Sequence, residues 1–153
     1  MVCPNCYYFL KNKLDVNIVS IYDKLDELHI GQKIQKGHIP MYYPCPDRSR
    51  KEMMSGIRKF LPETECDAYA DVQCCGLGGC ASCKEKEIAG QFTEHAKKNE
   101  NKELYTYCAS CVSNFRRNGY METYHVLPLI LGVEEEVPLG IQPFFNRAKH
   151  KWK

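Results

Sequence analysis

The chain has no long apolar run. Its longest apolar stretch, residues 125–133, falls far short of the roughly 20 residues that span a bilayer. This excludes a transmembrane helix on sequence grounds. The N-terminus has no apolar h-region, so no secretory signal is read there. Charge of one sign is also in short supply. The 21 basic residues are nearly balanced by 19 acidic ones, a formal net charge of +2. So small an excess gives no pull toward nucleic acid or an anionic membrane. Hydrolytic and nucleotide-binding signatures are missing too: there is no nucleophile elbow, no phosphate-binding Gly-x-x-x-x-Gly-Lys loop, no His-Glu-x-x-His zinc helix and no dinucleotide fingerprint.

What remains is an ordinary globular composition, 44% hydrophobic and 26% charged over 153 residues, enough for one domain with a real core. The exception is cysteine. There are 10: Cys3, Cys6, Cys45, Cys66, Cys74, Cys75, Cys80, Cys83, Cys108 and Cys111. That is too few for a short disulfide scaffold, and the chain is long enough to need no staples. With no export signal the expected compartment is the reducing cytoplasm, where clustered cysteines bind metal or do redox chemistry.

Periodicity predicts a short helix over 7–14 and a second with Ile18, Ile21, Tyr22, Leu25 and Leu28 on one face, stopped by Gly31. A strand is expected over 39–43, ending at Cys45. Asp47 is a candidate N-cap for a helix carrying Met53, Met54, Ile57 and Phe60. A second strand is expected over 69–73, running into Cys74-Cys75-Gly76, then a helix over 84–98. A third strand over 104–107 runs into Cys108, with helices from Val112 and from Val126. The expected fold class is therefore α/β: a small, mostly parallel sheet with helices on its faces and cysteines at the carboxyl ends of the strands. An internal repeat adds to this. An offset of 105 lays Cys3 on Cys108, Cys6 on Cys111, Leu10 on Phe115, Lys11 on Arg116, Ile21 on Val126 and Leu25 on Ile130.

The central cysteines form a constellation: Cys45, the vicinal pair Cys74-Cys75 followed by Gly76, and Cys108-x-x-Cys111. A Cys-x-x-Cys pair brings two thiolates to one metal centre. A vicinal pair is strained as a disulfide and suits neighbouring metal ions better. Gly76, Gly78 and Gly79 let the backbone approach a bulky inorganic group and offer N–H donors to sulfide. Five thiolates exceed the four used by zinc or a standard cubane cluster.

These residues resemble the cysteine-rich CCG domain of the heterodisulfide reductase family, whose relatives occur in anaerobic glycerol-3-phosphate dehydrogenase and in glycolate and lactate oxidase systems. The resemblance covers about residues 38–135. It implies three segments: 1–37 as the remnant of a preceding CCG repeat, 38–137 as a complete CCG domain, and 138–153 as a basic C-terminal tail. It implies a 4Fe-4S cluster, cubane or non-cubane, held by Cys45, Cys74, Cys75, Cys108 and Cys111 with Gly76 beside them. The function it implies is electron transfer or disulfide/thiol redox chemistry in an oxidoreductase or a component of one. Expected partners are a flavoprotein or ferredoxin-like electron donor and a companion chain carrying the missing repeat. Where family members often carry a histidine before the first cysteine, this chain has Tyr42, Tyr43 and Pro44.

Two other readings of the same thiols stay open: a zinc-binding interaction module using four of them, and a thiol–disulfide exchanger built on Cys108-x-x-Cys111. Cys3 and Cys6 are read either as thiols without upstream partners or as half of a four-thiolate site with Cys80 and Cys83. Cys66 is read as a small buried hydrophobe, and His125 as a structural hydrogen-bonding residue.

Overall fold

The computed structural model describes residues 1–63, 67–79, 81–135, 145 and 148–149. Cys66, Cys80 and nearly all of the basic tail lie outside the described residues. The elements in order are α1 (Pro4–Lys11), α2 (Ile21–Glu27), α3 (Glu52–Arg58), α4 (Ala81–Lys84), α5 (Lys86–Lys97), β1 (Leu104–Thr106), α6 (Ala109–Arg117), β2 (Thr123–His125) and α7 (Val126–Leu131). The chain is mostly helical, with helices packed on a small parallel sheet and cysteines near its strand ends. No helix among the described residues is long and apolar enough to cross a membrane.

The sheet pairs β1 with β2 in parallel, Leu104 opposite Thr123 and Thr106 opposite His125. On its other edge β1 receives residues 40–42: the Tyr105 N–H donates to the Pro40 carbonyl at 3.0 Å, and the Tyr42 N–H to the Tyr105 carbonyl at 2.7 Å. Residues alternate between two faces, as strand geometry requires. Met41, Tyr43, Tyr105 and Tyr107 join a large core with α1, α2, α3 and α7. Tyr42, Leu104 and Cys108 join a second core with Tyr69, Cys75, Cys111, Phe115 and Tyr120. Every tyrosine except Tyr124 is buried. The hydroxyls then need partners: Tyr69 donates to the Glu103 carbonyl at 2.7 Å and meets the Tyr120 hydroxyl at 2.7 Å.

Several local expectations are corrected. The strand expected over 39–43 is a single bridge, Met41 to Tyr105. The strand expected over 69–73 is a turn, with the Val72 N–H on the Tyr69 carbonyl at 3.0 Å. The Val72 and Gln73 carbonyls are taken by the Arg48 guanidinium at 2.7 and 2.6 Å, in place of a neighbouring strand. The strand that pairs with β1 is instead β2, which the sequence did not announce. Helix α1 begins at Pro4 rather than at residue 7, because Cys3 serves as its N-cap. Asp47 caps α3 from a distance: the N-cap position is Lys51, in a left-handed conformation at φ 55°, and the Asp47 carboxylate accepts from the Met53 and Met54 N–H groups at 3.2 and 3.0 Å.

The 105-residue offset reappears in three dimensions. It lays α1 on α6 and α2 on α7. It also lays Ser20 on His125, and the two residues do the same work. Ser20 Oγ accepts from the Tyr22 N–H at 3.2 Å, and His125 Nδ1 accepts from the Leu127 N–H at 3.2 Å. Each is the N-cap of its helix.

His125 is buried, and burial pushes its pKa down to about 4 against weak opposition from the Tyr107 backbone. Its backbone N–H donates to Glu135 at 3.0 Å, and Glu135 also meets Arg116 at 3.5 Å. A ring kept neutral in the fold binds fewer protons than the same ring in the unfolded chain. Folding stability therefore falls as pH drops from about 6.5 through about 4, by about 3 kcal/mol in total from this residue. The His125→Asn variant keeps a capping oxygen but does not titrate. Urea unfolding of both proteins between pH 7 and pH 4 is expected to show a shallower acid loss in the variant; equal slopes would refute a buried neutral ring.

Candidate metal centre

Three cysteine-bearing segments meet because one carboxylate binds them. Asp47, two residues after Cys45, is fully buried. It accepts from the hydroxyl of Tyr107, next to Cys108, at 2.7 Å, and from the hydroxyl of Tyr8, two residues after Cys6. With the two α3 N–H groups it takes four donors. Charge-assisted hydrogen bonds of this kind contribute about 1.5–3 kcal/mol each.

The vicinal pair is fixed from three sides. Arg48 ties the residues just before it to the Cys45 loop, donating also to the Tyr43 carbonyl at 3.1 Å. Asn114 of α6 donates to the Cys75 carbonyl at 2.6 Å. Gly76 sits at φ 86°, where an added Cβ would lie 2.4 Å from the Ala89 carbonyl oxygen of α5. Gly76 is thus needed for backbone shape and close packing. Its N–H also donates to Cys74 Sγ at 3.2 Å.

Cys75, Cys108 and Cys111 share the second core, and Cys45 Sγ lies 3.3 Å from the Gln73 carbonyl, one residue before Cys74. The Cys111 thiol pulls Cys108 down to about 6 and Cys75 to about 7, while Cys111 is itself held well above the usual range. The N–H groups of Ser110 and Cys111, at the start of α6, further favour the Cys108 thiolate. Burial pushes Cys74 up. Tyr42 stands among the sulfurs, its hydroxyl 3.9 Å from Cys45 Sγ and its ring charge-coupled to Cys111, Cys45 and Cys75. Burial holds that phenol neutral. Exposure grades across the set: Cys75, Cys108 and Cys111 are buried, Cys74 is intermediate and Cys45 is exposed.

Of the residues predicted as ligands, Cys75, Cys108 and Cys111 share the second core, while Cys74 is intermediate in exposure and Cys45 exposed. Among the described residues, however, no group of three or more His, Cys, Asp or Glu is gathered around a single point as one metal ion requires. Cys83 is exposed and meets Ser82 Oγ at 4.0 Å. Cys6 lies two residues before Tyr8, whose hydroxyl shares the Asp47 carboxylate with that of Tyr107, next to Cys108. Sequence reasoning missed Tyr42, Arg48, Asp47 and Asn114 as the residues that build the site; only Asp47, noted as a cap, gave a signal. Family models, curated proteins and solved structures yield no match to this chain.

Two substitutions test the frame. Gly76→Ala is expected to lower unfolding free energy by about 2–4 kcal/mol, because both the conformation and the approach to α5 are lost. Gly78→Ala meets open space and is expected to stay within about 0.5 kcal/mol of the parent. Asp47→Asn places an amide donor against hydroxyl and N–H donors, and is expected to cost about 2–4 kcal/mol in urea unfolding. An Asp47→Asn protein as stable as the parent would contradict the central role of this carboxylate.

Proposed function

We propose that the chain is an iron–sulfur redox protein whose 4Fe-4S centre is held by Cys45, Cys74, Cys75, Cys108 and Cys111. The observation that supports this reading is that Cys75, Cys108 and Cys111 share one buried core, with Cys45 Sγ 3.3 Å from the Gln73 carbonyl just before Cys74 and an N–H donor on Cys74. Thiolate ligands must be deprotonated to bind, and the Cys111–Cys108–Cys75 contacts keep two acidic thiols ready. N–H groups aimed at sulfur, such as that of Gly76 on Cys74, are the donors that tune such a cluster. Five candidate thiolates exceed the four that a single tetrahedral zinc ion uses.

When bound, such a cluster supplies one-electron transfer. The chain's own part is to hold the sulfurs and shield them. Phe115 and Tyr42 pack edge to face at 5.2 Å beside the buried cysteines and limit water on that side. The exposed Cys45 marks the open side, where an electron donor of the flavoprotein or ferredoxin class would approach. The activity fitting this arrangement is electron transfer or disulfide/thiol redox chemistry in an oxidoreductase.

Anaerobic purification followed by iron, acid-labile sulfide and zinc analysis tests the proposal. About four irons and four sulfides per chain are expected, with a visible charge-transfer band. Cys74→Ala and Cys75→Ala are each expected to abolish both. One zinc and no sulfide would replace the proposal with a structural metal domain.

A further inference from the structure

The N-terminal cysteines have a geometry that the five-thiol centre does not use. Cys3 is the N-cap of α1, and its sulfur accepts from the Cys6 N–H at 3.4 Å. The Cys3 sulfur is therefore held over the backbone of Cys6, within the first helical turn. Cys6 is exposed and Cys3 is intermediate, so reagents in solution reach the pair. Helix α1 is not a loose end. Lys11 pairs with Glu52 at 2.6 Å, Tyr8 is bonded to Asp47, and the Met1 carbonyl takes the Ile21 N–H at 2.8 Å. The pair is thus held in place, on the helix whose Tyr8 shares the Asp47 carboxylate with Tyr107, the residue before Cys108.

We propose that Cys3 and Cys6 form a redox-active dithiol that exchanges with small disulfides at the margin of the five-cysteine site. The dithiol stands on its own contacts; only its role as neighbour to a metal centre rests on the iron–sulfur reading. Among the contacting thiols this pair is the best suited to exchange. Cys75, Cys108 and Cys111 are buried, and thiol exchange requires in-line access to sulfur. Cys45 Sγ is turned onto the Gln73 carbonyl and Cys74 Sγ is held by the Gly76 N–H.

The exchange balances without a further cofactor. Cys3 loses its proton to solvent, and its thiolate attacks one sulfur of a small disulfide; that S–S bond breaks and the first thiolate leaves. Cys6 loses its proton to solvent, and its sulfur attacks Cys3 in the mixed disulfide. The Cys3–Cys6 bond forms and the second thiolate leaves. Each leaving thiolate takes up a proton. Two electrons and two protons have then passed from the dithiol to the small disulfide. The reverse reaction, with excess small thiol, restores the dithiol.

The test uses the whole chain, equilibrated anaerobically with rising ratios of oxidised to reduced glutathione. Acid quenching, alkylation and peptide mapping by mass spectrometry then report each cysteine. A Cys3–Cys6 disulfide is expected to appear in a single two-electron transition. Cys6→Ser is expected to trap glutathione on Cys3, and Cys3→Ser to abolish that transition. Full alkylation of Cys3 and Cys6 at every ratio would overturn the proposal, as would a disulfide joining Cys6 to Cys108. Iron lost from Cys3→Ser or Cys6→Ser with unchanged circular dichroism would make them ligands and also overturn it. A parent chain that binds no iron yet shows the transition keeps the dithiol and removes the metal centre, so the two proposals fail separately.

Discussion

The buried carboxylate of Asp47 is the interaction on which the rest of the arrangement depends. A charge in an apolar core is tolerated only when donors surround it. Here the donors are Tyr8, Tyr107, and the Met53 and Met54 N–H groups. Each stands next to something that matters. Tyr8 follows Cys6 by two residues, Tyr107 precedes Cys108, and Asp47 follows Cys45 by two. One ion therefore sets the spacing of three cysteine-bearing segments that are far apart in sequence. It also closes the N-terminus of α3, which has no side-chain cap at Lys51.

The sheet is too small to do this alone. Strands of three residues, two of them paired and a third reduced to one bridge, are marginal by themselves. Order is added by side chains that bond backbone. Arg48 holds the carbonyls before the vicinal cysteines, Asn114 holds the carbonyl of Cys75, and Tyr69 holds that of Glu103. Each bond replaces a ladder partner that the short strands do not provide. The cost of an unpaired buried carbonyl explains why these three side chains point inward despite being polar.

Cysteine spacing was legible because it is a pattern of residue type, and three of the residues it singled out, Cys75, Cys108 and Cys111, share one core. The alternation of Met41, Tyr42 and Tyr43 was legible as extended chain facing two cores, although ladder pairing there stops at one bridge. Strand β2 was not legible. Thr123, Tyr124 and His125 are too short a run to show a period, and their extended form is set by β1 alongside. The turn at 69–73 read as a strand because Tyr69 and Val72 are apolar and buried. Their backbone partners, however, come from Arg48 and from Tyr69 itself, which no local window contains. The capping role of Asp47 was visible, but its reach was not: a carboxylate serving two hydroxyls 39 and 60 residues away leaves no local trace.

The two Cys-x-x-Cys pairs show how one local motif takes on two environments. Both open a helix, and both place the first cysteine at the N-cap. The difference lies in what surrounds them. Cys108 and Cys111 sit in the second core with Phe115 and Tyr42, and Cys111 shares its proton contacts with Cys75. Cys3 and Cys6 open α1, with Cys3 intermediate in exposure and Cys6 exposed. A buried pair with a third thiol beside it favours metal, because ligands must be shielded and more than two are needed. An open pair with a single mutual contact favours exchange, because attack needs access. Burial, not the motif, separates the two chemistries.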